Sequence, residues 1–221
     1  MKLIAWSDQH MSFPLVGPAK YLIFAGDYQS GHYNDEDTAA LGRQFLRWFG
    51  SLEGEYKLLV PGNHDHWFWK DKDAFRKCCE EHKICLLDQE LVSLGGIRFY
   101  GSPYFYTPRI NPTLKTDIPH PEAYDVLVTH APPYGIYDFA SSKMENCGGP
   151  ELRHHVQMNK PKLHIFGHIH EGYGQGHPFY NVALASKGKT KNLIHSPTEI
   201  ELTFLEKSSE KDGYITGWIK A

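Results

Sequence analysis

The sequence predicts an α/β fold, and two observations lead to this prediction. Short apolar runs rich in β-branched and aromatic residues recur along the chain, which is the pattern of buried strands. Helix-like segments lie between some of these runs, and strands dominate the C-terminal stretch. The predicted strands are Leu3–Trp6, Tyr21–Ala25, Tyr56–Val60, Ile97–Tyr100, Tyr124–Thr129, Leu163–Phe166, Phe179–Leu184 and Glu199–Phe204.

Three segments are predicted as helices. Asp35–Phe49 opens with acidic residues, carries apolar residues at helical spacing, and is followed by Gly50 as a stop signal. Lys70–His82 and Pro150–Asn159 are the other two candidates. No repeat, low-complexity tract or linker-like change of composition interrupts the chain, so we expect a single domain over residues 1–221.

Composition and charge limit the class of partner. The 221 residues are 41% hydrophobic and 22% charged, which is ordinary for a globular protein. The formal net charge is −3, and Lys and Arg are scattered rather than clustered. This distribution argues against a large nucleic-acid footprint or an anionic membrane surface as the main partner. The argument carries less weight for an enzyme, because a metal site can attract phosphate by itself.

The sequence also predicts a compartment. The first residues show no basic segment followed by a long apolar stretch and a small-residue cleavage site. No run approaches the roughly 18 apolar residues that a membrane span requires. We therefore expect a cytoplasmic protein that does not span a membrane. We interpret the four cysteines as reduced thiols, since they show no C-x-x-C spacing; they are Cys78, Cys79, Cys85 and Cys147.

Polar residues follow five of the predicted strands, at the point where each strand ends. In open α/β sheets, ligands bind outside the carboxyl ends of the strands, because the loops there converge on one crevice. Five separate strand ends can therefore deliver side chains to one point. The collected residues are Asp8, His10, Asp27, Asn63, His64, His130, His168 and His170.

This set of side chains indicates two metal ions. Carboxylate, imidazole and amide oxygen suit Mn²⁺, Fe or Zn²⁺, and the lack of cysteine disfavours a closed structural zinc site. The set is too large for one ion and suits two ions that share a ligand. Two ions roughly 3.5–4 Å apart can clamp a phosphate and activate a bridging water as the nucleophile. Asp8 and His10 lie two residues apart, as do His168 and His170, so in extended backbone each pair would serve one cluster.

The motifs that contain these residues also resemble those of a known family. In chain order they are Asp8-x-His10, Gly26-Asp27, Gly62-Asn63-His64-Asp65, a strand-terminal His130 and Gly167-His168-x-His170. Together they resemble the full motif set of the calcineurin-like metallophosphoesterases. Residues 128–133 and 166–174 are further similar to the small metallophosphoesterase-domain proteins known from animal brain and from microbes.

The resemblance implies a fold and a division of the ligands. The fold would be two packed β-sheets flanked by helices (αββα), with the site at one sheet edge. The cofactors would be two divalent ions, with Mn²⁺ preferred and Fe or Zn²⁺ as alternatives. One ion would be held by Asp8, His10, Asp27 and His170. The other would be held by Asp27, Asn63, His130 and His168, which makes Asp27 the bridge.

The same resemblance implies a role for His64 other than metal binding. Its counterpart in the motif contacts the phosphate and is placed to protonate the leaving group, a task that suits a histidine near the working pH. Asn63 and His64 are therefore predicted substrate contacts. His66 is a third predicted contact that would line the substrate pocket, although an ordinary surface position is the plainer interpretation.

The predicted function is a phosphodiesterase acting on a small nucleotide-type diester, with a metal-bridged hydroxide as nucleophile and His64 as general acid. The sequence leaves open a phosphomonoesterase or a nuclease on the same site, and also a non-catalytic metal- or nucleotide-binding scaffold. Fold alone does not choose among them. The expected partner is a small phosphate ester. The sequence does not indicate whether the protein is a monomer or an oligomer.

Several neighbouring residues have two interpretations each. The aromatic cluster Trp67–Trp69 is predicted as core packing, with a stacking platform for a nucleobase as the alternative. Asp65 is predicted to orient a nearby ligand rather than to bind metal. Arg109, which lies with Tyr104 and Tyr106 in a Pro-rich loop, either contacts phosphate or is solvated.

Overall fold

The computed structural model describes residues 1–31, 34–103, 123–188, 191–203 and 218–220. The helices among these residues are α1 (Asp35–Ser51), α2 (His66–Lys70), α3 (Lys72–Glu81) and α4 (Pro150–Asn159), and a 3₁₀ turn spans His170–Gly172. The strands in the same ranges are β1 (Lys2–Trp6), β2 (Ala19–Phe24), β3 (Gly54–Leu59), β4 (Cys85–Leu86), β5 (Glu90–Leu94), β6 (Ile97–Ser102), β7 (Val126–Thr129), β8 (Phe139–Ala140), β9 (Glu145–Asn146), β10 (Leu163–Phe166), β11 (Gly174–Gly176), β12 (Phe179–Asn181), β13 (Thr198–Thr203) and β14 (Trp218–Lys220).

The described strands form two six-stranded sheets and one short hairpin. The first sheet has the order β14-β13-β1-β2-β3-β4, with β1 to β4 parallel and β13 antiparallel to β1. The second has the order β11-β12-β10-β7-β6-β5, with a parallel centre and antiparallel strands at both edges. β8 and β9 form the hairpin. Because the central strands of each sheet are parallel, the loops after them lie at one edge.

The two sheets pack against each other, and the first sheet is buried on both faces. In β1, Leu3 and Ala5 lie in the core between the sheets, together with Val126 of β7 in the second sheet. Ile4 and Trp6 point to the opposite face of β1. A strand buried on both faces is apolar along its whole length, which explains why the apolar runs predicted these strands.

Helices cover the outer face of each sheet. Phe45 of α1 and Phe75 of α3 share a core with Trp6 of β1. On the other side of the molecule, Leu152 of α4 shares a core with Leu127 of β7. The order of layers is therefore helices, sheet, sheet, helix, and the predicted αββα architecture is confirmed.

Two of the three predicted helices are confirmed. α1 begins at the predicted residue and ends two residues later than predicted, at Ser51. Asn34 caps it, since the Asn34 side chain accepts a hydrogen bond from the backbone N–H of Asp37 at 2.9 Å. α4 spans the predicted residues Pro150–Asn159 and has proline in its first turn, where no backbone N–H is needed.

The prediction of one helix over Lys70–His82 is wrong. The structure has two helices here, because Asp71 lies between them with φ −145° and ψ 82°, outside the helical region. The Asp71 carboxylate accepts a hydrogen bond from the backbone N–H of Ala74 at 3.0 Å. Asp71 therefore begins α3 as its N-cap instead of continuing α2.

The eight predicted strands all overlap strands of the structure, with ends that differ by a few residues. The largest difference is at Phe179–Leu184, because β12 ends at Asn181. Phe204, the last residue of the predicted strand Glu199–Phe204, lies outside the described residues. The strands that were not predicted are β4, β5, β8, β9, β11 and β14. Most of them are two or three residues long, too short for a periodic pattern.

Within the described ranges, no helix has both the length and the apolar composition that crossing a membrane requires. The longest, α1, has 17 residues and carries charged side chains. The cytoplasmic location and the single domain over residues 1–221 stay predictions.

Candidate metal centre

The five strand ends meet at one edge of the sandwich. β1, β2 and β3 of the first sheet and β7 and β10 of the second sheet deliver the predicted residues, and backbone hydrogen bonds join their loops. The N–H of Asp8 donates to the carbonyl of Gly26 at 2.9 Å, which links the loops after β1 and β2. The N–H of Gly167 donates to the carbonyl of His130 at 2.8 Å, which links the loops after β10 and β7.

The first cluster consists of Asp8, His10 and His170. Each of these side chains offers one atom able to bind a metal, and the three atoms lie within 4.8 Å of one another. The Nε2 atoms of His10 and His170 are 3.3 Å apart. Asp8 Oδ1 lies 3.2 Å from Nε2 of His170.

The second cluster consists of Asp27, His130 and His168, whose ligand atoms also lie within 4.8 Å of one another. Nε2 of His130 is 3.4 Å from Asp27 Oδ1 and 3.0 Å from the side-chain oxygen of Asn63. Asn63 thus contacts this cluster through its amide. The two clusters, together with Asn63, contain the seven residues predicted as ligands, although metal binding by these residues stays a prediction.

The backbone differs from the extended conformation that the sequence predicted. Asp8, His10 and His168 have positive φ values of 54°, 45° and 68°. His168 and His170 do not serve one cluster, since His168 belongs to the second and His170 to the first. The prediction that residues two apart serve one cluster is therefore wrong for His168 and His170. It assumed an extended backbone from one residue to the other, whereas His168 has a left-handed conformation. Left-handed conformations of this kind cost about 1–3 kcal/mol each and concentrate at functional sites.

Three imidazoles are oriented by backbone carbonyls. Nδ1 of His10, His130 and His170 each lies within hydrogen-bond distance of a carbonyl oxygen. The acceptors are the carbonyls of Gln29, Ala25 and Ser186, at 2.8, 2.8 and 3.1 Å. A carbonyl only accepts hydrogen bonds, so Nδ1 must carry the proton. In the neutral ring, Nε2 then carries no hydrogen, and its lone pair points into the cluster. This is the usual arrangement of metal-binding histidines.

This arrangement fits a cation between the side chains of each cluster. In the first cluster, two Nε2 lone pairs face each other at 3.3 Å, and the buried Asp8 Oδ1 has no hydrogen-bond donor among the described residues. In the second, His130 Nε2 faces two oxygen atoms that only accept. Acceptors that converge without a donor repel one another unless a positive charge lies among them. The donor set of oxygen and imidazole nitrogen suits a divalent ion such as Mn²⁺, Fe or Zn²⁺.

Without metal ions, protonated histidines would supply the positive charge that the buried carboxylates require, and the pKa shifts describe this metal-free state. Burial alone would raise the pKa of Asp8 and of Asp27, but the surrounding histidines hold both well below the usual range. Burial alone would lower the pKa of His130, but the Asp27 carboxylate outweighs it and raises the pKa to about 10. Burial together with His130 lowers the pKa of His168 to about 4.

His64 lies beside both clusters without joining either. Its backbone N–H donates to Asp27 Oδ1 at 2.7 Å, and its Nε2 is 4.0 Å from Asp27 Oδ2. Its ring centroid is 5.7 Å from that of His10. The side chain is 36% exposed, so it reaches solvent at the opening of the site. Burial is the main cause of the lowered pKa of His64; the Asp27 carboxylate opposes it, and the positive charge of His130 adds to it.

Asp65 holds two of the site loops together. It is fully buried and accepts three backbone hydrogen bonds, from Asp27 at 3.0 Å, Tyr28 at 2.9 Å and Gly62 at 2.7 Å. Burial and the Asp27 carboxylate raise the pKa of Asp65 to about 8, while the N–H donors oppose this shift. Asp65 contributes no atom to either cluster, and it positions the loops that carry Asp27 and Asn63.

The aromatic cluster and His66 have structural contacts. Trp67 and Phe68 pack in the core beneath the helices, and the indole N–H of Trp69 donates to the Gly62 carbonyl at 2.7 Å. Nε2 of His66 donates to the carbonyl of Gly31 at 2.9 Å. Its ring lies 5.9 Å from that of His64, and a substrate contact by His66 stays a prediction. The other three candidates, Tyr104, Tyr106 and Arg109, lie outside the described residues.

A cavity of about 200 Å³ opens at the site. It is lined in part by charged residues that were not predicted from the sequence. Asp27, His64, His168 and His170 form its inner part. Further charged lining residues are Lys143, Glu171, Lys187 and Lys191. Lys143 lies at the turn between β8 and β9, far in sequence from every motif, so no local pattern marks it. Only Glu171 directly follows a motif residue.

Comparison with known proteins leads to the same family that the motifs resemble. The calcineurin-like phosphoesterase profile matches residues 7–172. Metallophosphoesterase domain-containing protein 1 of Homo sapiens is 34% identical over 205 residues, which cover 78% of this chain and 61% of that protein. A UPF0046 protein of Caenorhabditis elegans is 29% identical, covering 85% of this chain and 71% of the other. The chain thus spans about 61% of the length of the human relative.

A solved structure shares the fold. The protein TT1561 of Thermus thermophilus superposes with a TM-score of 0.51 at 14% sequence identity, covering 83% of this chain and 88% of that one. At this identity the likeness concerns the fold alone. The family profile covers the strand ends that carry the metal-binding motifs, from residue 7 to residue 172. The chain therefore belongs to the calcineurin-like phosphoesterase family, a family of phosphoester hydrolases, and is similar to the metallophosphoesterase domain-containing proteins.

Proposed function

We propose that this chain is a metal-dependent phosphodiesterase that cleaves a small nucleotide-type diester in the cytoplasm. The observation that carries the proposal is the pair of clusters, each with three ligand atoms within 4.8 Å, beside a histidine that belongs to neither. Two separate groups of acceptors without donors call for two cations. A fifth imidazole, that of His64 at the opening of the cavity, then remains available for proton transfer.

The contacts support the proposed division of the ligands. Asp8, His10 and His170 would hold one ion, and Asn63, His130 and His168 the other, with Asp27 shared. The Asp27 carboxylate acts on histidines of both clusters: burial lowers the pKa of His10 although Asp27 opposes this, and Asp27 raises the pKa of His130 to about 10 against the effect of burial. When bound, two divalent ions stabilise charge on the phosphoryl oxygens and make water acidic enough to supply a nucleophile. We propose Mn²⁺ as the native ion.

The part we assign to His64 is to donate a proton to the leaving oxygen. Its backbone N–H bond to Asp27, at 2.7 Å, fixes the residue relative to the shared ligand. Its Nε2 lies 4.0 Å from Asp27 Oδ2, and a phosphate bound by ions at the two clusters would lie beside it. A positioned general acid contributes about 10²–10⁴-fold to the rate of such a reaction.

The cavity favours a diester over a monoester. A diester carries a substituent on each side of phosphorus, and the cavity extends from His64 past Ala140 and Cys147. A phosphomonoesterase is the second candidate, because the lysines of the cavity suit the greater negative charge of a monoester. A nuclease is less favoured, since the net charge is −3 and the basic residues are scattered.

The test is hydrolysis of bis-p-nitrophenyl phosphate and p-nitrophenyl phosphate, with and without Mn²⁺. We expect diester cleavage that requires Mn²⁺ and that falls about 10²-fold or more in His64→Ala. His154→Ala, an exposed histidine of α4, is the matched control and should keep the wild-type rate. Preferred cleavage of the monoester would replace the first candidate with the second. Absence of turnover on both esters with every metal would refute both.

A further inference from the structure

Lysines line the cavity in addition to residues of the two metal clusters. Three lysines line it, namely Lys143, Lys187 and Lys191, against the acidic Glu171 and Asp27. Asp27 belongs to the metal cluster. Glu171 is paired with Lys187, whose Nζ lies 2.8 Å from Glu171 Oε1. Two lysines, Lys143 and Lys191, therefore face the cavity without an acidic partner among the described residues.

Contacts of Lys187 and Glu171 connect the turn between β8 and β9, which carries Lys143, to the segment that precedes Lys191. Lys187 also contacts the Ser142 hydroxyl in the turn between β8 and β9, and Ser141 of the same turn donates to Glu171 at 3.2 Å. Lys143 is the next residue in that turn, and its N–H donates to the Ala140 carbonyl at 2.9 Å. The hairpin is thus tied to the 3₁₀ turn that begins at His170, and Lys143 is held at the cavity.

Electrostatics favours a second anion at this place. Lys143 is exposed and Lys191 is half-buried, and both line the cavity together with the groups predicted to hold two divalent cations. The ions and the lysines together would create a positive potential that attracts anions. One phosphate bound at the metal ions would leave the two lysines available to another. A second phosphate on the same substrate would compensate them, and lysine is a common phosphate-binding residue because it acts as a compact point charge.

We infer that Lys143 and Lys191 form a subsite for a second phosphate group of the substrate. The inference rests on the proposed function and defines its substrate class. The substrate is a nucleotide-type phosphate ester with one phosphate at the metal centre and a second phosphate at the two lysines. The alternative is that the lysines only attract anions to the site, in which case they act equally on every phosphate compound.

The test compares thymidine 5′-monophosphate with thymidine 3′,5′-bisphosphate as inhibitors of bis-p-nitrophenyl phosphate hydrolysis by the Mn²⁺-loaded protein. The two compounds differ by one phosphate. We expect the bisphosphate to inhibit at about tenfold lower concentration than the monophosphate, the ratio that one charge-assisted contact supports. The ratio should fall about threefold or more in Lys143→Gln and in Lys191→Gln. Lys77→Gln, an exposed lysine of α3, is the matched control and should keep the wild-type ratio.

Calorimetric binding of the same two nucleotides measures the ratio without turnover. Equal affinity of the wild type for both compounds would overturn the subsite. Lysine variants that weaken the binding of both nucleotides by the same factor would also overturn the subsite, because that result indicates general attraction of anions to the cavity. Failure of the proposed function is a different outcome, in which bis-p-nitrophenyl phosphate is not hydrolysed at all whatever the nucleotide binding shows.

Discussion

Asp65 provides the sharpest test of how the site loops are held in place. Its carboxylate accepts from the N–H groups of Asp27, Tyr28 and Gly62 and is fully buried. Asp27 is the proposed shared ligand, and Gly62 directly precedes the ligand Asn63. We therefore predict that Asp65→Asn lowers both the free energy of unfolding and the retention of metal.

The magnitude follows from the three hydrogen bonds. Asp65 Oδ2 accepts two of them, at 3.0 and 2.7 Å, and Oδ1 accepts the third, at 2.9 Å. Asparagine keeps one acceptor oxygen, so at least one buried N–H is left facing the amide NH₂, at a cost of about 1–3 kcal/mol.

Loss of charge adds little to this cost. Burial and the Asp27 carboxylate raise the pKa of Asp65 to about 8, so most of the carboxyl is already neutral at pH 7 in the metal-free protein. We expect a net destabilisation of about 1–3 kcal/mol, a large fraction of the roughly 5–15 kcal/mol that stabilises a domain. The assays are urea unfolding of the metal-free protein and metal analysis after gel filtration.

Asp138 offers a matched control. It is also buried, and its Oδ2 accepts two backbone hydrogen bonds at 2.9 Å, from Gly135 and Gly148. Its loop carries no predicted ligand, so Asp138→Asn should lose stability and keep its metal. The reasoning would be refuted if Asp65→Asn unfolded within about 0.5 kcal/mol of the wild type, the ordinary range of surface changes. It would also be refuted if Asp65→Asn lost no more metal than the control.

Two further predictions concern buried groups. His164 is fully buried, with Nε2 2.9 Å from the Thr129 hydroxyl, and burial holds its pKa well below the usual value. The unfolded chain binds this proton near pH 6.5 and the folded chain does not, so stability should fall below that pH by about 1.4 kcal/mol per unit. His164→Gln should show a pH slope smaller by one proton in urea unfolding, and equal slopes would contradict the assignment. Gly62→Ala would press a methyl group on the Asp27 carboxylate and onto His130 Cε1 at 2.7 Å. We expect a loss of about 1–3 kcal/mol and weakened metal binding, which a calorimetric metal titration measures, and unchanged affinity would speak against the proposed packing.

The location of the site could be predicted because its signals are local. Each buried strand is an apolar run, and the residue that ends it is polar, as at His130 after β7. The parallel order of the strands then brings these ends together, whatever the details of the loops. The family resemblance supplied the division of ligands, and the structure groups six of these residues into two clusters of three, while metal binding and the sharing of Asp27 stay predictions.

The details that the sequence did not predict depend on contacts between distant segments. Nothing near His10 shows that the Gln29 carbonyl will orient its ring, or that His168 will adopt a left-handed backbone. The lysines of the cavity were missed for the same reason, since Lys143 lies 79 residues after His64 in the chain. The break at Asp71 was missed because its flanking residues are compatible with one continuous helix.

The central claim is that Asp27 is shared by two metal ions, whereas His64 binds no metal and donates a proton to the leaving oxygen. Metal content per chain, measured with the rate on bis-p-nitrophenyl phosphate, tests it most directly in the wild type, His64→Ala and Asp27→Asn. We expect two ions in the wild type and in His64→Ala, with activity lost in the latter. We expect fewer ions and no activity in Asp27→Asn. Two ions in Asp27→Asn, or equal depletion in both variants, would contradict it.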